Sequence, residues 1–358
     1  MTGIDIRFFS TFLTILVGFA GGTIAYVLGA PLPWMIGALI CVGAIAIGGF
    51  GWRGITVSMP PQVRLVMVPI IGVMLGSAFT PEVVAQIPGW LPSLFSVAAF
   101  VMLATACVYP LYRRVFGYDR PTAYFAAVPG GLLEMAMLAE EQKGDMRTVS
   151  AIHFLRIVFA VVTIPLVLRV FFGPVGSAAG VNLDDGTKVL TIWDGGLLLA
   201  AAISGFWLAR LLRIPAAPIS GPVMVSALFH ATGWTDAAPP GVLVIVAQVV
   251  MGSALGARFS GYDRTELARA FGAALLAGVV MMSLTLAIAL LARMLLAKPF
   301  LEMVLSLAPG GLVEMALIAL SLQIGIAFVT AHHLIRILIS VLIMPSLYRA
   351  TIGRGQDR

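Results

Sequence analysis

An all-α polytopic membrane protein built from two inverted repeats is the fold class this sequence predicts, and three observations predict it. The chain has 358 residues, 60% of them hydrophobic and only 11% charged, and a mean hydropathy of +1.03. A soluble domain carries about 25% charged residues, so this chain lacks the charge to cover a watery surface. Its apolar stretches run for about 17–25 residues, the length a helix needs to cross a bilayer. The third observation is an internal duplication. Pro129-Gly130-Gly131-Leu132-Leu133-Glu134-Met135-Ala136 returns as Pro309-Gly310-Gly311-Leu312-Val313-Glu314-Met315-Ala316, at an offset of 180 residues. The same offset joins His153 to His333, Arg156 to Arg336, Pro165 to Pro345 and Arg169 to Arg349.

Six apolar segments can be read in each half. They fall near 9–29, 33–50, 63–80, 91–113, 121–141 and 149–172, then near 190–211, 217–232, 241–258, 270–297, 300–323 and 328–349. Residues 1–172 form the first membrane repeat, 173–188 a Gly-, Ser- and Asp-rich linker, and 189–358 the second repeat. Gly72-x-x-x-Gly76 matches Gly252-x-x-x-Gly256, a pattern that lets helix backbones approach closely in a membrane. Upstream the offset becomes 184, where Pro31–Gly37 aligns with Pro215–Gly221.

Loop charges set the relative direction of the halves, because cytoplasmic loops accumulate Lys and Arg. In the first half the basic residues follow segments two and four (Arg53; Arg113, Arg114 and Arg120), while the loop after segment three holds Glu82. In the second half they follow segments one and three (Arg210 and Arg213; Arg258, Arg264 and Arg269), with Asp236 in the loop between. Equivalent loops therefore carry opposite bias, as inverted repeats require. Inversion needs an odd number of crossings per half. The expectation is five crossings plus one re-entrant segment broken at Pro-Gly-Gly, with both termini cytoplasmic. Arg349, Arg354 and Arg358 agree with that topology, and Arg293 and Lys298 do not.

The broken segment is where chemistry is expected. Pro129 lacks a backbone N–H and Gly130 and Gly131 allow dihedrals other residues resist. Pro309, Gly310 and Gly311 repeat the arrangement. Non-helical backbone at membrane depth persists only where protein or a wet cavity satisfies its amides. The half-helix after each break would aim its free N–H groups and positive dipole end inward, a site for an anion. Glu134 and Glu314 stand in the first turn, where each either caps its helix or handles a proton or substrate. His153 with Arg156, and His333 with Arg336, lie three apart and share a helix face. The sequence reading pairs Glu134 with Arg156 and Glu314 with Arg336; the alternative is that each Arg snorkels to the interface. His332 has no equivalent in the first half, and His230, near a segment end, reads as interfacial.

Other classes find little support. Cys41 and Cys107 lie in apolar stretches without a Cys-x-x-Cys, so neither a disulfide framework nor a thiolate metal site is indicated. The four His residues show no ligand spacing, and Gly-x-Ser-x-Gly and phosphate-loop patterns are absent. No catalytic residues, metal or cofactor are expected. The net charge of +6 is explained by membrane topology rather than by nucleic acid.

The duplicated Pro-Gly-Gly-x-x-Glu-Met-Ala, the following His-x-x-Arg and the Pro31–Gly37 and Pro215–Gly221 stretches resemble the AbrB family of bacterial inner-membrane proteins, as distinct from the soluble DNA-binding regulator that shares the name. The resemblance runs from about residue 12 to 349. Members carry labels as ammonia monooxygenases or regulators of gene expression, and a transport role is suspected; no settled substrate or catalytic residue comes with the resemblance. Together with the residues it implies a bacterial inner-membrane transporter, not an enzyme, moving a small anionic or zwitterionic metabolite, with proton coupling as one role open to the Glu pair. Its partners are then the bilayer and a small-molecule substrate, and a homo-oligomer would suit a moving part that needs a fixed frame. A membrane sensor acting indirectly on gene expression, or a membrane-bound monooxygenase, are the competing readings.

Overall fold

The structure is a computed structural model and describes residues 3–52, 55–172, 190–322 and 324–353. The predicted linker, 173–188, lies outside these residues. The described residues are all-helical apart from a two-residue antiparallel pairing, β1 (Gly51–Trp52) with β2 (Ile55–Thr56). In order, the helices are α1 (Gly3–Val27), α2 (Pro33–Gly48), α3 (Pro61–Gly76), α4 (Pro81–Val84), α5 (Leu91–Arg114), α6 (Arg120–Ala127), α7 (Leu132–Glu141) and α8 (Met146–Phe172). The second half has α9 (Ile192–Leu211), α10 (Ala217–Ala231), α11 (Gly241–Ala257), α12 (Arg264–Leu296), α13 (Phe300–Leu307), α14 (Leu312–Ser321), α15 (Ile326–Leu342) and α16 (Met344–Thr351).

Among the described residues six spans are long and apolar enough to cross a membrane: Arg7–Val27, Ile87–Arg114, Met146–Leu168, Ile192–Leu211, Thr265–Leu296 and Ile326–Thr351. Among five shorter apolar helices, α2, α3, α10 and α11 have 16, 16, 15 and 17 residues. At 1.5 Å per residue they reach roughly 22–26 Å, a little short of a full hydrocarbon core. The chain is a polytopic helical membrane protein.

Two compact units form, and each draws on both halves of the sequence. One comprises Met1–Val84, Ile164–Tyr262 and Leu320–Gln323, and the other Ala85–Thr163, Asp263–Ala319 and Ile324–Arg358.

The first unit is held by glycine contacts that repeat at the sequence offset. A Cβ on Gly21 would lie 2.4 Å from Gly37 O, and one on Gly205 would lie 2.6 Å from Gly221 O. Gly18 meets Ala38 while Gly22 meets Trp34, so α1 and α2 run antiparallel. Gly252 meets Met35 and Ala38, and one turn on Gly256 meets Leu39, Val42 and Gly43. Hence α11 and α2 run in the same direction. Gly72 against Pro222, and Gly76 against Val223 and Ser226, give the same parallel arrangement for α3 and α10. Without a hydrophobic driving force between helices in lipid, such close backbone packing supplies much of the association.

Candidate functional site

Every residue singled out around the two breaks falls in the second unit. The predicted fifth segment is two short helices, α6 and α7, separated by Val128–Gly131; the eleventh is α13 and α14, separated by Ala308–Gly311. Each pair folds back on itself. Asp145 N donates to Thr122 Oγ1 at 2.7 Å, so the chain leaves α7 beside the start of α6. Laid end to end, the two helices would separate those residues by roughly 27 Å. In the second copy a Cβ on Gly325 would lie 2.7 Å from Glu302 Cδ, again returning the chain to where it began.

At the first tip Gly130 and Gly131 have φ of 147° and 58°, a region that side chains with a Cβ rarely enter. Gly131 is the N-cap of α7 and has no side chain of its own to cap it. The carboxylate of Glu134, three residues on, approaches it: a Cβ on Gly131 would sit 3.3 Å from Glu134 Oε2. At the second tip the approach is closer, since a Cβ on Gly311 would lie 2.0 Å from Glu314 Oε2. Each Glu thus lies over the positive end of its own half-helix, where a negative charge is favoured. Glu314 is buried and Glu134 half-buried.

The long helix after each hairpin runs beside the hairpin's first arm and serves its carbonyl end. His153 Nε2 donates to Phe125 O at 2.9 Å. A carbonyl only accepts, so Nε2 carries a proton, and Nδ1 is free to accept from Arg156 Nη2 at 3.1 Å. Arg156 also donates to Ala126 O and Val128 O at 3.4 and 3.3 Å. The second copy repeats the scheme. His333 Nε2 donates to Leu305 O at 2.8 Å, and Arg336 donates to Ala308 O and Gly310 O, at 2.5 Å each. Thr285 Oγ1 adds a bond to Leu307 O at 3.2 Å. These are the carbonyls a helix leaves without partners at its C-terminal end, and a cation there also suits the dipole.

The pairing expected from sequence is therefore recast. Both guanidiniums hold the backbone of the break, and Glu314 acts electrostatically on Arg336. The snorkelling alternative fails, because Arg156 and Arg336 are only 3% and 2% exposed. His230 stands in the last turn of α10 and is buried; it bonds Ser226 O and Ala237 O and closes the turn after α10.

One turn of α15 joins the two breaks. Arg336 holds the second tip, and Ser340, four residues on, donates to Pro129 O of the first at 3.1 Å. A Cβ on Gly130 would lie 2.9 Å from Ser340 Oγ, and one on Gly131 3.2 Å from Val341 Cγ2. Pro129–Glu134, His153, Arg156, Pro309–Glu314, His333 and Arg336 accordingly gather in one part of one unit. Ser340 was missed by sequence reasoning because its first-half equivalent is Ala160, so the duplication gave no signal there. His332, ranked low, is fully buried; it meets Ser93 Oγ at 2.9 Å and Phe328 O at 2.7 Å. Among the described residues no group of three His, Cys, Asp or Glu is placed to hold a metal.

Fold and site together define a polytopic helical membrane protein whose two broken hairpins are cross-linked by a single helix turn. Residues 34–351 match the family model described as "Transition state regulatory protein AbrB", and the chain belongs to that family. It is 24% identical over 356 residues to the uncharacterised protein YhjN of Bacillus subtilis (strain 168), covering 94% of this chain and 91% of that one. It is 23% identical over 313 residues to a protein of Escherichia coli (strain K12) whose name proposes a regulator, AbrB, covering 84% and 86% respectively.

Proposed function

We propose that this AbrB-family protein is a secondary transporter of the bacterial inner membrane, not an enzyme, and that it moves a small anionic or zwitterionic metabolite. The observation that carries the reading is the meeting of two Pro-Gly-Gly tips at the Arg336–Ser340 turn of α15. Discontinuous helices whose half-helix ends converge are how transporters build a substrate site at membrane depth. The return of each hairpin to its starting point supports a re-entrant role for both.

Inversion of the repeats has support in the first unit. α2 and α11 run in the same direction. α10 and α11 are successive apolar helices joined by a short segment, so as spans they run oppositely. α10 therefore opposes α2, its own equivalent at offset 184. In this reading both termini are cytoplasmic.

Charge balance favours proton coupling. Arg156 and Arg336 against Glu134 and Glu314 give a formal sum of zero. Adding a monoanion leaves one uncompensated negative charge at membrane depth, which is strongly unfavourable, unless a Glu takes up a proton with it.

Uptake into proteoliposomes, measured over a panel of organic acids and amino acids with and without an inward proton gradient, tests this. The gradient should accelerate uptake, and Glu314→Gln should abolish that acceleration. The reading fails if nothing in the panel moves and Glu134→Gln with Glu314→Gln leaves cells unaffected.

A further inference from the structure

The two copies of the hairpin differ in how completely their buried polar groups are satisfied. On α6–α8 the only described side-chain atom buried without a hydrogen-bond partner is Arg156 Nε. On α13–α15 there are four: Ser306 Oγ, Thr330 Oγ1, His333 Nδ1 and Arg336 Nε. Ser306, Thr330 and His333 are 0% exposed. Buried polar groups in native proteins are nearly always paired, with protein, water or ligand, and at membrane depth the penalty for leaving them bare is higher still.

Three of these atoms lie close together along the chain, and a hydrogen bond links the helix of the fourth to them. Thr330, His333 and Arg336 follow one another at spacings of three on α15, which keeps them on adjoining turns of one side. Ser306 is next to Leu305, whose carbonyl His333 holds. The first-half equivalents of Ser306 and Thr330 are Ala126 and Ser150, and His153 Nδ1 is satisfied by Arg156. Ser306 for Ala126 is thus a change of functional group, whereas Thr330 keeps the hydroxyl of the half-buried Ser150 in a fully buried place, and the His and Arg differ only in their surroundings.

Their chemistry names a ligand. Two hydroxyls and a guanidinium N–H are donors in need of acceptors. His333 Nε2 spends its proton on Leu305 O, which leaves Nδ1 an acceptor in need of a donor. Three donors and one acceptor match a carboxylate with a neighbouring hydroxyl or ammonium group.

Resting on the transporter reading, we propose that the substrate is seated at the second hairpin alone, by Ser306, Thr330, His333 and Arg336, and that it is a small carboxylate bearing an adjacent hydrogen-bond donor. The first hairpin is its structural counterpart.

The test uses full-length protein with propionate, L-lactate, glycine and succinate as probes, measuring binding by thermal shift in detergent and uptake in proteoliposomes. L-Lactate and propionate differ by the hydroxyl that would reach His333 Nδ1, so lactate should bind more tightly. Ser306→Ala and Thr330→Ala should each raise its half-saturating concentration roughly three- to tenfold, the loss of about one hydrogen bond. Ser150→Ala, at the first-half position, should leave it unchanged. Removing an unpartnered buried hydroxyl should leave the melting temperature of the ligand-free protein unchanged or higher, so weakened binding with intact melting excludes misfolding. Wild-type affinity in both Ser306→Ala and Thr330→Ala overturns the proposal while leaving transport intact. Binding without uptake overturns the transporter and keeps the site. No binding of any probe overturns the site.

Discussion

The two hairpin tips are spelled almost identically, yet they are held differently. At the first, the backbone is unusual, with both glycines at positive φ, and Arg156 reaches it through hydrogen bonds of 3.3 and 3.4 Å. At the second, neither glycine has φ in that region, and Arg336 grips two residues deeper in the motif, at Ala308 and Gly310. The first tip is shaped by its own backbone and the second by its side chains. A duplicated motif therefore keeps its helix-breaking property while its copies diverge in what secures the break.

Removing Arg336 should break this contrast most severely. Arg336→Ala leaves two buried carbonyls without donors, and charge-assisted bonds contribute about 1.5–3 kcal/mol each. A loss of about 3–5 kcal/mol is expected in SDS or thermal unfolding, against roughly half that for Arg156→Ala with its longer bonds. Arg336→Lys should recover only part, because an ammonium cannot span two carbonyls as the planar fork does. Equal losses at the two positions would mean that the two tips are held alike.

The glycines separate the copies next. Gly130→Ala forces a Cβ into φ 147° against Ser340, with about 1–3 kcal/mol of backbone strain expected. Gly310→Ala meets the buried Met315 side chain, whose Cε, Sδ and Cγ would lie 2.5, 2.9 and 3.0 Å away, and should cost about 1 kcal/mol through repacking rather than backbone strain. The ratio of their melting-point shifts reports whether backbone or packing dominates. The smallest effect is expected from Ser340→Ala, about 1 kcal/mol for one neutral hydrogen bond to Pro129 O. Its sharper readout is proteolysis, since the tie between the tips is lost while each hairpin keeps its own Arg.

Much of this is legible in the sequence. Low charge and long apolar runs predict the polytopic helical class, since each is a direct statement about solvent. Pro-Gly-Gly predicts the interruption, because a missing N–H and a missing Cβ act locally wherever they stand. The paired glycines of α3 and α11 were readable as close contacts for the same reason, whereas those of α2 and α10 were not.

The partners were not legible. Arg156 lies 28 residues from Val128 and Ser340 lies 211 from Pro129, and local periodicity says nothing about which distant carbonyl a side chain will meet. The sequence by itself determined that the chain is helical, membrane-embedded and duplicated, and where its helices must break. Only the tertiary structure decided that both breaks fall in one unit, that the cations satisfy backbone at the carbonyl ends of α6 and α13, and that unsatisfied polar atoms concentrate on the second copy. The physical reason is that helix breaking is a property of single residues, whereas satisfying the groups a break exposes depends on whatever the fold brings within about 3 Å.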